Sequence, residues 1–375
     1  MHLASRAGIL VPAVTKSIPE APDRAWLDVD LGALVRNAQS FQTLINSPLL
    51  PMVKADGYGL GAVAVARALE QVEPWGFGVA TVAEGAELRA AGLDRPIVVF
   101  TPLMPDPALV AAMRAHDLRP VIGDIEALDA WRSAGGGPFH VEIDTGMSRA
   151  GFRWHDEAGL TALRGRLASR DGWEGIFTHF HSADTDRLAT REQLERFEAV
   201  LVCLGSRPPL VHVANSASAG LPYQVAGDLA RPGIFLYGGR AGRLVPEPVA
   251  RLRARVVALR SLRPGDPVSY GAEWRAAGET CIATIGIGYG DGVPRALGSG
   301  GRVEINGRVV PIVGRVTMDM LMVDTGGLPV QVGDVATLFG GLVALDDQAA
   351  LAGTVSYELL TRIAPRVPRR YGTAP

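Results

Sequence analysis

Between residues 49 and 238 the chain repeats one pattern eight times: a short apolar run, then a stretch with helical spacing. The runs fall at 51–54, 76–80, 96–100, 119–122, 139–144, 175–179, 210–215 and 233–237. Segments such as 62–71, 83–91 and 191–204 carry the helical spacing between them. Short strands that are apolar throughout are buried on both faces, which is the condition of parallel strands joined by helices. Eight such units predict an α/β fold, a (β/α)8 barrel of the TIM type. A further run at 26–29 precedes a helical stretch at 31–45 and is free to pair elsewhere.

After about residue 252 the texture changes. Runs at 256–259, 280–286, 302–305, 309–313, 320–323 and 336–339 are short, alternating and punctuated by Gly, Pro and Asn-Gly. That is the pattern of a mostly antiparallel β domain. The expected organisation is a loose tail over 1–22, the barrel over 23–252 and a C-terminal β domain over 253–375. A length of 375 residues is enough for two such domains. The 37 basic and 39 acidic side chains nearly balance, so no basic stripe offers itself to nucleic acid. No apolar run approaches the ~20 residues of a membrane helix. Two cysteines, Cys203 and Cys281, exclude a disulfide framework and fit a cytoplasmic protein.

In a barrel of this kind, chemistry belongs at the C-terminal ends of the strands. The first run ends in Lys54, followed by the glycine-rich turn Ala55-Asp56-Gly57-Tyr58-Gly59. A lysine that closes an apolar strand is partly desolvated, which lowers its pKa and suits it to Schiff-base chemistry, although a surface lysine can end a strand in the same way. The fifth run carries Glu142 and Asp144 and leads to Arg149. The sixth ends in His179 and reaches His181; no acidic or histidine cluster completes a metal site around them, so no metal is expected. The seventh and eighth bring His212, Asn215, Ser216 and Arg231-Pro232-Gly233-Ile234, where barrels commonly bind phosphate. The glycines between Gly286 and Gly292 lie in the β domain with no helix after them, against a dinucleotide loop. A phosphate site without a nucleotide motif, beside a strand-end lysine, points to pyridoxal 5′-phosphate.

Nine short motifs then follow one another in order. They are Val53-Lys54-Ala55-Asp56-Gly57-Tyr58-Gly59, Ile143-Asp144-Thr145-Gly146-Met147-Ser148-Arg149, Phe177-Thr178-His179-Phe180, Ala214-Asn215-Ser216, Arg231-Pro232-Gly233, Val268-Ser269-Tyr270-Gly271, Gly288-Tyr289-Gly290-Asp291-Gly292, Met318-Asp319 and Arg366-Val367-Pro368-Arg369. Over residues 23–371 the chain resembles the alanine racemases, pyridoxal-phosphate enzymes with an N-terminal barrel and a C-terminal β domain. The resemblance implies that Lys54 carries the cofactor and acts as the D-side base, while Tyr270 is the L-side base, supplied by the other subunit of a homodimer. It implies that Arg231 donates to the pyridine nitrogen with His212 in support. Tyr58, Ser216, Tyr357, Gly233 and Ile234 would hold the phosphate, and His179 and Asn215 would line the pocket. Arg149 and Met318 would bind the substrate carboxylate, with Asp319 beside Met318; Tyr289, Asp184, Arg295 and Arg315 match the entry funnel. The implied role is supply of D-alanine for cell-wall peptidoglycan. A racemase for another or a broader set of amino acids, such as serine, stays open, because one or two pocket side chains decide substrate size.

The sequence departs from the family at several places. Glu142 stands where a lysine, carbamylated in relatives, orients the substrate-binding arginine. Leu60 replaces a common histidine, Gly57 a common alanine and Thr317 a cysteine, and His181-Ser182 takes the place of smaller residues. None of these alters the two implied bases. Glu142 already carries a carboxylate, so pairing with Arg149 without carbon dioxide is expected.

Overall fold

The computed structural model describes residues 23–221, 225 and 227–372. The tail expected over 1–22 lies outside the described residues. In chain order the strands are β1 (Ala25–Asp30), β2 (Phe77–Val79), β3 (Ile97–Pro102), β4 (Arg119–Ile122), β5 (Phe139–Asp144), β6 (Phe152–Arg153), β7 (Trp173–Phe177), β8 (Leu210–His212), β9 (Ala250–Leu262), β10 (Pro267–Val268), β11 (Trp274–Arg275), β12 (Thr280–Ile285), β13 (Arg302–Ile305), β14 (Arg308–Pro311), β15 (Leu321–Asp324), β16 (Val335–Phe339) and β17 (Arg369–Gly372).

Strands β2-β3-β4-β5-β7-β8 run parallel in one sheet, each pair linked through a helix. Two short rails close this sheet into a ring. Residues 49–53 bond to β2 through Val53 N–H to Gly78 O (2.8 Å) and Gly78 N–H to Pro51 O (2.8 Å). Residues 229–232 bond to the first rail through Leu50 N–H to Ala230 O (2.8 Å), and beyond β8 through Arg231 N–H to Ala214 O (2.9 Å). The barrel therefore has eight staves, as the repeat predicts.

The eighth is not where the apolar run placed it. Residues 233–237 form a tight turn, with Leu236 N–H donating to Gly233 O (2.9 Å) and Tyr237 N–H to Ile234 O (3.1 Å). Ile234, Phe235, Leu236 and Tyr237 are all buried, so the run is apolar because the turn packs inward. A short buried run does not declare its backbone conformation.

Helix starts follow their capping residues. Asp30, Asp106, Asp124, Asp156 and Asp186 each accept from a backbone N–H of the first turn that follows, a contact worth ~1 kcal/mol. Thr81 and Glu84 form a full capping box at the helix Val82–Ala90.

The antiparallel unit is built around β9, a strand of 13 residues. Its first half pairs with β1 and β16, its second half with β12, which carries β15 in turn. The Trp26–Val29 run is the centre of β1, which lies between β9 and β17 in this second sheet. β13 and β14 are joined by Asn306-Gly307, both at positive φ (49° and 74°), the geometry an Asn-Gly hairpin turn requires. Two helices, Leu345–Leu351 and Ser356–Thr361, interrupt the strand pattern, and the second carries Tyr357.

Candidate active site

Lys54 follows directly on the first rail, at the mouth of the barrel. Desolvation, then the nearby Arg149 cation, lower its pKa, so the neutral amine is more accessible than in water. The backbone after it is left-handed from Ala55 to Gly59 (φ 53°, 54°, 58°, 55° and 79°). Each non-glycine residue in that conformation costs about 1–2 kcal/mol, so the turn needs outside support. Glu84 provides part of it, its carboxylate accepting from Ala55 N–H (2.7 Å), Ala80 N–H (2.7 Å) and Thr81 N–H (3.0 Å). Asp56 accepts from Ala62 N–H (2.8 Å). The turn drives the Tyr58 ring inward, where it stacks on Tyr237 at 4.2 Å and 17°. Tyr237 in turn donates its hydroxyl to Met52 O (2.7 Å).

Opposite Lys54 the ends of the seventh and eighth staves form a cradle of small and polar groups. Gly233 N–H donates to the buried Ser216 Oγ (2.8 Å). A Cβ on Gly233 would lie 2.2 Å from Tyr58 Oη, so only glycine lets that hydroxyl approach the backbone. Asn215 Oδ1 accepts from Ala217 N–H (3.1 Å), Ser218 N–H (3.1 Å) and Ser218 Oγ–H (2.9 Å), fixing the loop. Tyr357 stands 6.0 Å from Tyr58, and burial pushes its hydroxyl up to about 12.

Arg231 is buried beside this cradle. Its Nη1 donates to His212 O (2.6 Å) and lies 2.9 Å from His212 Nδ1, and its Nη2 donates to Thr178 O (2.8 Å). The guanidinium sits 5.0 Å above the Phe177 ring. Burial pulls its pKa down to about 10, against the opposing pull of Glu142. His179 is pushed to about 3, first by burial and then by Arg231, Arg149 and Lys54, and so presents a neutral imidazole. Glu142 is buried, and its carboxyl pKa is raised by desolvation against the opposing pull of Arg149 and Arg231. Arg149 Nη2 and Glu142 Oε1 are 4.0 Å apart, an ion-pair distance longer than a hydrogen bond.

These groups open on one cavity of ≈ 340 Å³ that Lys54, Tyr58, Glu142, Arg149, His179, Asp184, Asn215, Ser216, Arg231, Gly233 and Tyr357 all line. Four cations, Lys54, Arg149, Arg231 and Arg240, face two carboxylates there, Glu142 and Asp184, a field that favours an anionic ligand. Sequence reasoning assigned nothing to Phe100, Phe177 or Arg240, which also line it. The two aromatics are inward members of their strands, a signal that strand alternation holds but that core packing equally explains.

The structure does not bring Tyr270, Tyr289, Arg295, Arg315, Met318 or Asp319 to this cavity within one chain. Tyr270 is 71% exposed, next to Ser269 at φ 65°, and Met318 is 54% exposed. Ser269 Oγ donates to Arg315 O (2.7 Å), and Arg315 pairs with Glu273. Tyr289 N–H donates to Thr317 O (2.9 Å) and Gly290 N–H to Met318 O (2.8 Å). Arg24 and Arg366 both grip the buried Asp291 (2.7 Å each), and Arg366 also reaches Asp319 (2.8 Å). His181 bonds Ser182 through Nδ1 (2.7 Å), and no three metal-ligating side chains cluster among the described residues.

A closed parallel barrel whose mouth gathers a desolvated lysine, a buried arginine and small polar groups has the architecture of a barrel enzyme. Family models for the alanine racemase N-terminal and C-terminal domains match residues 29–241 and 249–371. The chain belongs to the alanine racemase family, as an enzyme of that family. It is 39% identical over 365 residues to alanine racemase of Deinococcus radiodurans, covering 93% of this chain and 99% of the relative. It is 35% identical over 369 residues to alanine racemase of a Nostoc species, covering 92% and 95%. Among solved structures it is similar to alanine racemase of the D-cycloserine producer Streptomyces lavendulae (TM-score 0.87, 32% identity, 95% and 98% covered). It is likewise similar to the biosynthetic alanine racemase of Pseudomonas aeruginosa (TM-score 0.86, 35% identity, 93% and 99% covered).

Proposed function

We propose that the chain interconverts L- and D-alanine by moving the α-proton between two bases, with pyridoxal 5′-phosphate as cofactor. The observation that carries this reading is the desolvated Lys54 beside a cradle made by Tyr58, Ser216 and Gly233. The donor set fits that cofactor: hydroxyls and a glycine for a phosphate, a lysine amine for an aldehyde, and a neutral His179. When bound, the cofactor supplies an electron-withdrawing ring that acidifies the substrate α-proton.

The protein's own part follows from its groups. Arg231 keeps its proton at neutral pH, so it would hold a ring nitrogen as an acceptor only, which would limit charge withdrawal and the side reactions that follow from it. Arg149 orients the substrate carboxylate, with Glu142 behind it. Lys54 Nζ takes or returns the proton on one face of the substrate α-carbon and Tyr270 Oη on the opposite face, because inversion needs a base on each side. Tyr270 is exposed and does not line the cavity of its own chain, and the proposal supplies it from a second copy in a homodimer. Exposed Met318, Met320 and Tyr289 on the same unit support that interface, whose loops would deliver the Met318 backbone to the substrate. In this reading residues 23–252 hold most of the cofactor site and Tyr357 adds to it from residues 253–375, whose Tyr270 and Met318 complete the partner's site; the enzyme works in the cytoplasm to supply D-alanine for peptidoglycan.

The test incubates the cofactor-loaded enzyme with a panel of L-amino acids and resolves the products by chiral chromatography. Racemised alanine in excess of every other product is expected. Preferential turnover of serine or a larger amino acid would replace alanine as the substrate, and no turnover of any would overturn the reading.

A further inference from the structure

A polar thread crosses the apolar interior of the barrel. Leu50, Val98, Val121, Phe177 and Leu229 pack in that interior. His140 and His212 are fully buried; the Phe177 ring stacks on His212 at 4.9 Å, and the His140 ring lies 5.6 Å from Trp75. His140 Nδ1 is 2.7 Å from His212 Nε2, and His140 Nε2 is 3.2 Å from Glu174 Oε2. At the far end His212 Nδ1 meets Arg231 Nη1 at 2.9 Å, and Arg231 lines the cavity. At the near end Arg119, the first residue of β4, sets its Nε 3.5 Å from Glu174.

The proton positions along this thread are forced. Guanidinium only donates, so His212 Nδ1 must accept from Arg231. A neutral His212 then carries its proton on Nε2 and donates to His140 Nδ1. His140 in turn carries its proton on Nε2 and donates to the Glu174 carboxylate. Burial lowers the pKa of both imidazoles, against the opposing pull of Glu174 at His140 and with the Arg231 charge adding to the effect at His212. Every donor therefore points the same way, from the cavity to Glu174. The packing makes room for this: a Cβ on Gly175 would lie 2.3 Å from His140 Nδ1. Apolar side chains of similar volume would serve stability as well or better in such a place, so stability alone does not account for the thread.

We propose that His140 and Glu174 are positioning residues of the active site, completing a one-way hydrogen-bond chain that fixes the His212 tautomer and, through it, the Arg231 guanidinium at the cavity. The carboxylate polarises each bond in the series, which makes His212 Nδ1 a stronger acceptor for Arg231. The consequence for rate rests on the proposed role of Arg231; the tautomer order does not.

Two measurements test it. Isotope-labelled imidazole nitrogens, read by NMR in the full-length protein with and without pyridoxal phosphate, should show His140 and His212 both as Nε2–H tautomers. Glu174→Gln removes the charge from a half-buried side chain while leaving an acceptor. It should shift the His212 Nδ1 resonance and lower kcat by about tenfold, the scale on which outer partners of functional histidines act. KM should stay within about twofold, because the substrate carboxylate is held elsewhere, and the cofactor should still attach to Lys54. Gly175→Ala, which displaces the His140 ring and changes no polar group, should lower kcat in the same way. An Nδ1–H or doubly protonated imidazole at either position in the unaltered protein would overturn the proposal. So would a Glu174→Gln enzyme with unchanged kcat, or one whose loss lies in KM or in cofactor retention. An unaltered protein that binds no pyridoxal phosphate would instead overturn the proposed function and leave the tautomer result standing.

Discussion

Glu142 and Arg149 show how far a pairing argument reaches. They belong to one strand and the loop that follows it, and their charged atoms come within 4.0 Å with Glu142 6% and Arg149 57% exposed. A fully buried charged hydrogen bond would be worth about 1.5–3 kcal/mol, but solvent at Arg149 screens this pair. Glu142→Ala is therefore expected to raise KM for alanine roughly three- to tenfold with a smaller change in kcat, measured in steady state. The unaltered enzyme should show no response to bicarbonate, and Glu142→Lys should recover only when bicarbonate is added. Unchanged KM in Glu142→Ala would remove the carboxylate from any positioning role. His179 gives a second expectation at this scale. Its folded pKa of about 3 lies below the ordinary histidine value, so the unfolded chain binds the proton that the folded chain refuses. Stability is thus unaffected above about pH 6.5 and is lost as pH falls below it. Thermal melts between pH 6.5 and 5, above the carboxylate range, should decline less steeply in His179→Asn than in the unaltered protein. Identical slopes would place His179 in contact with water.

The left-handed turn after Lys54 is the element on which the site hangs, and a single carboxylate ties it to the neighbouring stave. Glu84 accepts from Ala55, Ala80 and Thr81, so it caps its own helix and clamps the turn at once. Glu84→Ala should leave three N–H groups to find water, lower the melting temperature modestly, and weaken cofactor retention through Lys54 and Tyr58. Dialysis followed by borohydride fixation of the remaining cofactor would measure that loss, and full retention would show that the turn holds itself. The clamp also marks a limit of legibility. Lys54 closing an apolar run points to a reactive amine, yet nothing local says that the carboxylate of Glu84 meets Ala55, 29 residues away in the chain. The Gly233 turn is a similar case: its run is apolar because it is buried, and burial hides whether the chain is extended. His140 was missed for the opposite reason. One histidine in an apolar strand is common, and only its alignment with Glu174 and His212, from two other staves, gives it a direction. Strands β12 to β16 of the second sheet were legible because alternation and an Asn-Gly turn are local signals, whereas β17 and the first half of β9 were not.

At the scale of the molecule, the residues of the antiparallel unit that the proposal assigns to the reaction do not line the cavity of their own chain. Lys54 lines the cavity, whereas Tyr270 stands 71% exposed on the antiparallel unit. A two-fold dimer buries the same patch on both copies and would bring each Tyr270 toward the other's Lys54. Mixing the inactive variants Lys54→Ala and Tyr270→Phe decides this. A mixed dimer holds one site built from the intact Lys54 of one chain and the intact Tyr270 of the other, and one site that lacks both. At equal mixing, half the dimers are mixed, so about a quarter of the sites should be intact. Activity near ~25% of the unaltered enzyme is the expected result after subunit exchange, measured by racemisation of L-alanine. Were Tyr270 to act on Lys54 of its own chain, no mixture would contain an intact site, and activity would stay at the level of the separate variants. Exchange is checked by giving one variant an affinity tag and recovering the other with it. Co-recovery without activity would place both bases in one subunit and require the exposed loop to fold back over its own barrel.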